Sequence, residues 1–145
     1  MNYKLREIKE SDYENLARIN KESLGYDYPT EKTKLRLKEA LAQYKVIMIG
    51  VADENDNLVG YIHGEWYVVS YSEPLYNIMA LAVLPECKKI GLGRMLMDEF
   101  IKKSKENGAA GIRLSSGVDR VDAHGFYEHL GFDMKKVQKN FRMKF

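Results

Sequence analysis

Val83-Leu84-Pro85-Glu86-Cys87-Lys88-Lys89-Ile90-Gly91-Leu92-Gly93-Arg94 is the stretch on which the reading of this chain turns. The apolar run from Ile78 to Leu84 ends at Pro85, two glycines follow, and then Leu92, Met95, Leu96, Phe100 and Ile101 recur at helical spacing as far as Asn107-Gly108. This pattern predicts a strand, a glycine turn and an amphipathic helix with a C-terminal stop. Gly91 and Gly93 carry no Cβ, so the backbone can approach a ligand closely, and the first-turn amides of the helix have no intrahelical acceptor. The helix dipole adds partial positive charge there, and Lys88, Lys89 and Arg94 surround the same point with full charges. Such a turn is expected to bind an anion, and a diphosphate fits it. Two better-known phosphate fingerprints do not match: Leu96 stands where a dinucleotide motif needs its third glycine, and no Gly-Lys-Ser/Thr ending is present.

Outward from this stretch, the first 85 residues read as mainly antiparallel. Tyr3 to Ile8 alternates as a strand does, Ser11 or Asp12 caps a helix carrying Tyr13, Leu16, Ala17 and Ile19, and Pro29-Thr30-Glu31 opens a second helix. Val46 to Ala52 and Leu58 to Tyr71 flank the turn residues Asp53 to Asn57 as a hairpin, and Ile78 to Leu84 adds a third consecutive strand. After the long helix come a short strand at Ile112 to Ser115, a helix over Ala123 to Leu130, a strand from Phe132 to Met134 and a terminal hairpin closing over Lys139 to Phe145. The fold class is therefore α/β (α+β), a mixed, mostly antiparallel twisted sheet of six to seven strands flanked by about four helices.

The chain of 145 residues, 45% apolar and 30% charged with three prolines, is expected to form one domain over 1–145. A single cysteine, Cys87, excludes an internal disulfide framework, and with only three histidines no zinc module or other metal site is expected. The apolar runs fall short of the roughly 20 residues that a membrane span takes. Charges at Lys4, Arg6 and Glu7 interrupt any secretory signal, so a cytoplasmic location is the expectation. The 23 basic and 21 acidic residues nearly cancel, which is not the footprint of a nucleic-acid binder.

The segment Lys88 to Gly93 resembles the Arg/Gln-x-x-Gly-x-Gly/Ala signature of the GCN5-related N-acetyltransferase (GNAT) family, with lysine at the first basic position. Leu81-Ala82-Val83-Leu84-Pro85-Glu86 is similar to that family's preceding strand and bend. Ala123-His124-Gly125-Phe126-Tyr127-Glu128-His129-Leu130-Gly131-Phe132 is similar to its Ala-x-x-x-Tyr-x-x-x-Gly-Phe block. The resemblance implies that acetyl-coenzyme A is the cosubstrate and that no metal is needed. It implies that the pantetheine arm lies beside Leu81, Ala82 and Val83, and that the diphosphate sits on Lys88, Lys89, Ile90, Gly91, Leu92, Gly93 and Arg94. Tyr127 would contact the coenzyme and protonate its departing thiolate, a role that suits a phenol with a pKa near about 10.

Two positions depart from the family's pattern. Asn77 stands where some members carry a glutamate that serves as general base, and an amide cannot take up the proton of the amine. Another carboxylate, a water chain or solvent must do so, and Glu65 is the nearest carboxylate by sequence. The period of two places Tyr61, His63, Glu65 and Tyr67 on one face of a strand, where they would wall the acceptor pocket. Arg120 stands where many relatives have an asparagine that orients the coenzyme arm, and His124 accompanies it. By resemblance, Tyr26, Tyr28, Trp66 and Asn77 surround the acceptor, with Tyr67, Tyr71 and Tyr76 in the same segments. Aromatic faces with Asp27, Glu65 and Glu73 nearby suit a small cationic amine.

These features lead to an N-acetyltransferase that moves the acetyl group of acetyl-coenzyme A to a primary amine by direct attack, the acceptor being a small molecule or a peptide. The alternative is a non-catalytic acyl-coenzyme A sensor or interaction module on the same fold, which Asn77 motivates. The terminal strands and the long third strand are expected to offer edges for a homodimer.

Overall fold

A computed structural model describes residues 2–145, which group into two compact units, one as far as Leu114 and the other Ser115–Phe145. The first unit holds a five-stranded sheet in the order β1 (Lys4–Glu7), β2 (Ile47–Ala52), β3 (Leu58–Tyr67), β4 (Leu75–Val83) and β5 (Ile112–Arg113). The first four strands run antiparallel to their neighbours, and β5 runs parallel to β4. Helices α1 (Tyr13–Leu24), α2 (Thr30–Leu41) and α3 (Leu92–Glu106) belong to the same unit.

Local chemistry accounts for the connections. Gly25 at φ 78° ends α1: its amide and that of Tyr26 bond back to the carbonyls of Lys21 and Asn20, and only glycine adopts this turn without steric cost. The Asp53 carboxylate accepts the amides of Asn55 (2.9 Å) and Asn57 (3.0 Å) and so closes the β2–β3 hairpin. Asp12, expected as a helix cap, does something else. Its carboxylate takes two bonds of 2.9 Å from the Arg6 guanidinium and one of 2.7 Å from the Lys9 amide, tying β1 to the entry of α1. Burial alone would push its pKa up, but Arg6 and the amide outweigh that and hold the carboxyl below its ordinary range.

The ladder registers separate β3 into two faces. Gly60, Ile62, Gly64 and Trp66 lie on the α3 side, where Phe100 closes over Gly64 so tightly that a Cβ there would overlap its ring. Tyr76 is fully buried on that side, edge-on to both Trp66 (5.3 Å) and Phe100 (5.7 Å). Its hydroxyl donates to the Lys45 carbonyl (2.6 Å) and accepts from the Asn107 amide (2.8 Å). Tyr61, His63, Glu65 and Tyr67 lie on the other side, and Tyr61 donates from its hydroxyl to the Asn20 side chain on α1.

The sheet has five strands rather than the expected six to seven. β3 ends at Tyr67, short of Tyr71, and β5 keeps only two residues of the expected four. In the second unit, α4 (Val121–His129) realises the expected helix, whereas Phe132 to Met134 and Lys139 to Phe145 are not strands. Alternation is not enough to make a strand without a partner ladder, and along this lysine-rich stretch Met134, Val137, Phe141, Met143 and Phe145 are all exposed. No helix among the described residues is long and apolar enough to cross a membrane.

Candidate active site

β4 passes through a short helical turn, Pro85–Cys87, into the glycine loop. Lys89 (φ 66°) and Gly91 (φ 89°) both adopt left-handed backbone, which folds the segment back on itself before α3 begins. A Cβ on Gly91 would meet no atom within 4 Å, so the glycine serves the turn and leaves the space above it open. The amides from Lys89 to Arg94 find no main-chain acceptor among the described residues, and the next amide, that of Met95, is the first to bond within the helix, to Gly91. Consecutive free amides at a helix start with Lys88 and Lys89 alongside form an anion-binding concavity. Arg94 lends less charge than the sequence suggested, because its guanidinium bonds Asp98 at 3.1 Å. Ile90 is exposed, and Cys87 is buried as a free thiol beneath the bend.

The strand leading into this loop changes phase halfway. The Tyr76 amide donates to Gly111 at 3.0 Å, so at this end the main-chain groups of the even residues face β5. The Leu84 amide donates to Val59 at 2.8 Å, so at the other end the even residues face β3 and those of Leu81 and Val83 face away from it. The switch is a bulge around Met79, where the β3–β4 register shifts. β5 pairs only with Tyr76 and Asn77. Beyond Asn77 the strands part, and the main-chain groups of Leu81 and Val83 are left on an open edge that runs to the glycine loop. Ala82, between them, is buried.

Beside that edge stands the polar wall. Glu65 lies opposite Asn77 in the ladder, and Asn77 lies opposite Arg113. The Asn77 oxygen accepts from Arg113 at 2.8 Å while its amide nitrogen donates to the Met79 sulfur at 3.1 Å. His63 Nε2 is buried without a hydrogen-bond partner among the described residues, and Glu65 Oε1 lies 3.5 Å away. Burial lowers the His63 pKa, with Glu65 opposing, and the imidazole is neutral at neutral pH. Glu65 itself is half-buried, with part of its carboxylate side chain reaching solvent. Tyr61 is pushed up to about 12, first by burial and then by nearby Tyr26, so it stays a hydrogen-bond donor.

The aromatic residues divide. Tyr26 (66% exposed) and Tyr28 (44% exposed) stand free on the loop between α1 and α2. Trp66 and Tyr76, expected near the acceptor, pack instead on the α3 face, with Lys45 over the Trp66 ring at 4.2 Å. Tyr67 is on the polar wall, but the Arg113 guanidinium covers its ring at 4.5 Å, so that face is not free for a substrate ammonium. No sequence signal marks Arg113 or Met79. A two-residue strand has no period to reveal Arg113, and Met79 sits in an unbroken apolar run.

In the second unit, Tyr127 lies on α4 with its ring edge-on to Phe132 at 5.8 Å, and the Phe132 amide bonds the Tyr127 carbonyl. Burial raises the Tyr127 pKa and Arg120 pulls the other way, leaving the phenol protonated at neutral pH. His124 bonds the Gly117 carbonyl at 2.8 Å, a tie within its own segment. Among the described residues no group of three His, Cys, Asp or Glu side chains is placed to hold a metal.

Comparison with known proteins agrees with this geometry. The profile described as the acetyltransferase (GNAT) family matches residues 5–132. An N-alpha-acetyltransferase of Sulfurisphaera tokodaii is 27% identical over 147 residues, covering 96% of this chain and 85% of that protein. The Escherichia coli [ribosomal protein bS18]-alanine N-acetyltransferase is 32% identical over 74 residues, covering 51% of this chain and 48% of that protein. Among solved structures, a Trypanosoma brucei acetyltransferase superposes with a TM-score of 0.83 at 18% identity, covering 98% of this chain and 100% of that one. The aminoglycoside N-acetyltransferase AAC(6')-Iy in complex with CoA superposes with a TM-score of 0.85 at 14% identity, covering 99% of this chain and 95% of that one.

Proposed function

Because the chain belongs to the acetyltransferase (GNAT) family and is an acyl-transferring enzyme, we propose that residues 1–145 work as one N-acetyltransferase domain that uses acetyl-coenzyme A and acetylates a primary amine. The observation that carries this reading is the run of free amides from Lys89 to Arg94 at the end of the open β4 edge. Those amides hold the diphosphate, and the main-chain groups of Leu81 and Val83 bond the pantetheine arm as a third strand would. Relatives named N-alpha-acetyltransferases support a peptide α-amine as the acceptor, entering past Tyr26, Tyr28 and Asn77.

The reaction is direct. The neutral amine attacks the thioester carbonyl, the N–C bond forms and the C–S bond breaks, and the amide product and coenzyme A thiol result. Glu65 accepts the proton of the amine, with neutral His63 beside it, since Asn77 cannot. Tyr127 gives its proton to the leaving thiolate, a role supported by the order of motifs and by a phenol that stays protonated.

The test is calorimetric titration with acetyl-coenzyme A and with desulfo-coenzyme A. Wild type should bind both in the micromolar range and Gly91→Glu neither; absence of binding to wild type overturns the reading. Asn77 favours a second reading, a sensor that binds without turnover. Tyr127→Phe separates the two, because it should lower turnover about 100-fold at unchanged coenzyme affinity in the enzyme and change nothing in a sensor.

A further inference from the structure

Glu65, Asn77 and Arg113 form one row across three strands, each paired with the next in the ladder. With strands about 4.8 Å apart, the main chains of Glu65 and Arg113 stand about 10 Å from each other. Opposite charges on one sheet face commonly meet as an ion pair, but here an amide stands between them. Arg113 is fixed in place by two neutral contacts, the Asn77 oxygen at 2.8 Å and the Tyr67 ring at 4.5 Å. Among the described residues no carboxylate pairs with Arg113, and no lysine or arginine pairs with Glu65, whose one charged-type neighbour is His63. A guanidinium held rigid but left unneutralised is an incomplete site, because its remaining N–H donors are in the geometry that matches a carboxylate. The row lies beside the open β4 edge, where the acceptor reaches the thioester.

We propose that this row selects an acceptor carrying a carboxylate as well as its amine, the amine meeting Glu65 and the carboxylate meeting Arg113. The inference rests on the transferase reading for the identity of the amine as acceptor, and it narrows the substrate class to amino acids or peptides with an acidic first residue. On this reading the small cationic amine expected from the aromatic residues is replaced by one that also carries a carboxylate, because Arg113 covers the Tyr67 ring and repels positive charge.

Binding without turnover tests the proposal apart from the chemistry. The full chain is titrated, with and without coenzyme A, with alanine, alaninamide and the C-terminally amidated peptides Glu-Ala-Ala and Gln-Ala-Ala. In at least one pair the carboxylate-bearing member should bind at least about tenfold more tightly. The alanine pair points to a free amino acid and the peptide pair to an acidic N-terminal residue. Arg113→Gln should erase the difference while leaving alaninamide affinity unchanged, and Arg113→Lys should restore part of it. Glu65→Gln should weaken all four probes alike and keep the carboxylate preference. Equal affinities within both pairs, a preference that survives in Arg113→Gln, or no binding by any probe overturns the inference. Failure of coenzyme A to bind counts against the transferase reading alone, since the amine preference is also read without it.

Discussion

The two faces of β3 differ in what they exclude. On one, Ile62, Gly64 and Trp66 meet Tyr76 and Phe100, and the packing is close enough that no side chain replaces the hydrogen at Gly64. On the other, Tyr61, His63, Glu65 and Tyr67 alternate with these and hold a hydrogen bond to α1, a buried unpaired imidazole nitrogen and a half-buried carboxylate. A polar group without a partner costs free energy when buried, so a fold keeps one where chemistry or a ligand uses it. The close-packed face fixes the strand, and the strand then presents the reactive groups of the other face with little freedom.

Removing the support should be the largest effect. Phe100→Ala opens a cavity against Gly64 and Tyr76 and should cost about 3–5 kcal/mol in urea denaturation at constant slope. Next, Glu65→Gln should lower kcat about 100-fold, equivalent to about 2.7 kcal/mol, with the melting temperature unchanged; turnover that persists would move the base off this face. The smallest effect is a pH dependence. Because the folded pKa of His63 lies below its unfolded value, the unfolded chain binds the extra proton first. Its share of stability is complete above about pH 6.5 and is lost as pH falls toward the folded pKa, by at most about 1.4 kcal/mol per pH unit. His63→Gln should flatten the fall in melting temperature between about pH 7 and 5; a variant as pH-sensitive as wild type would show that other groups carry the dependence.

Much of this was legible in residues whose local chemistry decides their structure. The glycine loop, the helix after it, the hairpin turn at Asp53 and the alternation of β3 were all read from sequence, and they stand because each depends on neighbours within a few positions. What the sequence does not reveal depends on partners far along the chain. Phe132 to Met134 and Lys139 to Phe145 alternate as strands do, yet form no ladder. Trp66 and Tyr76 share an aromatic character, but the period of two sends both to the α3 face, where Tyr76 is buried in the core. Asp12 has the composition of a cap, but Arg6 on β1 claims its carboxylate. The row from Glu65 to Arg113 needs the register of two ladders, one parallel, and no segment of the sequence states it.

The bulge at Met79 works as a half-period shift in an otherwise regular lattice. Before it, β4 spends its outward main-chain groups on β5; after it, the same groups are released toward the loop. Deleting Met79 would restore an unbroken period with both alignments kept, Ala80 still opposite His63 and the main-chain groups of Leu81 and Val83 still turned away from β3. It is the end of β5 at Arg113 that separates a strand that merely completes a sheet from one that leaves an unfinished edge as a template for a second molecule.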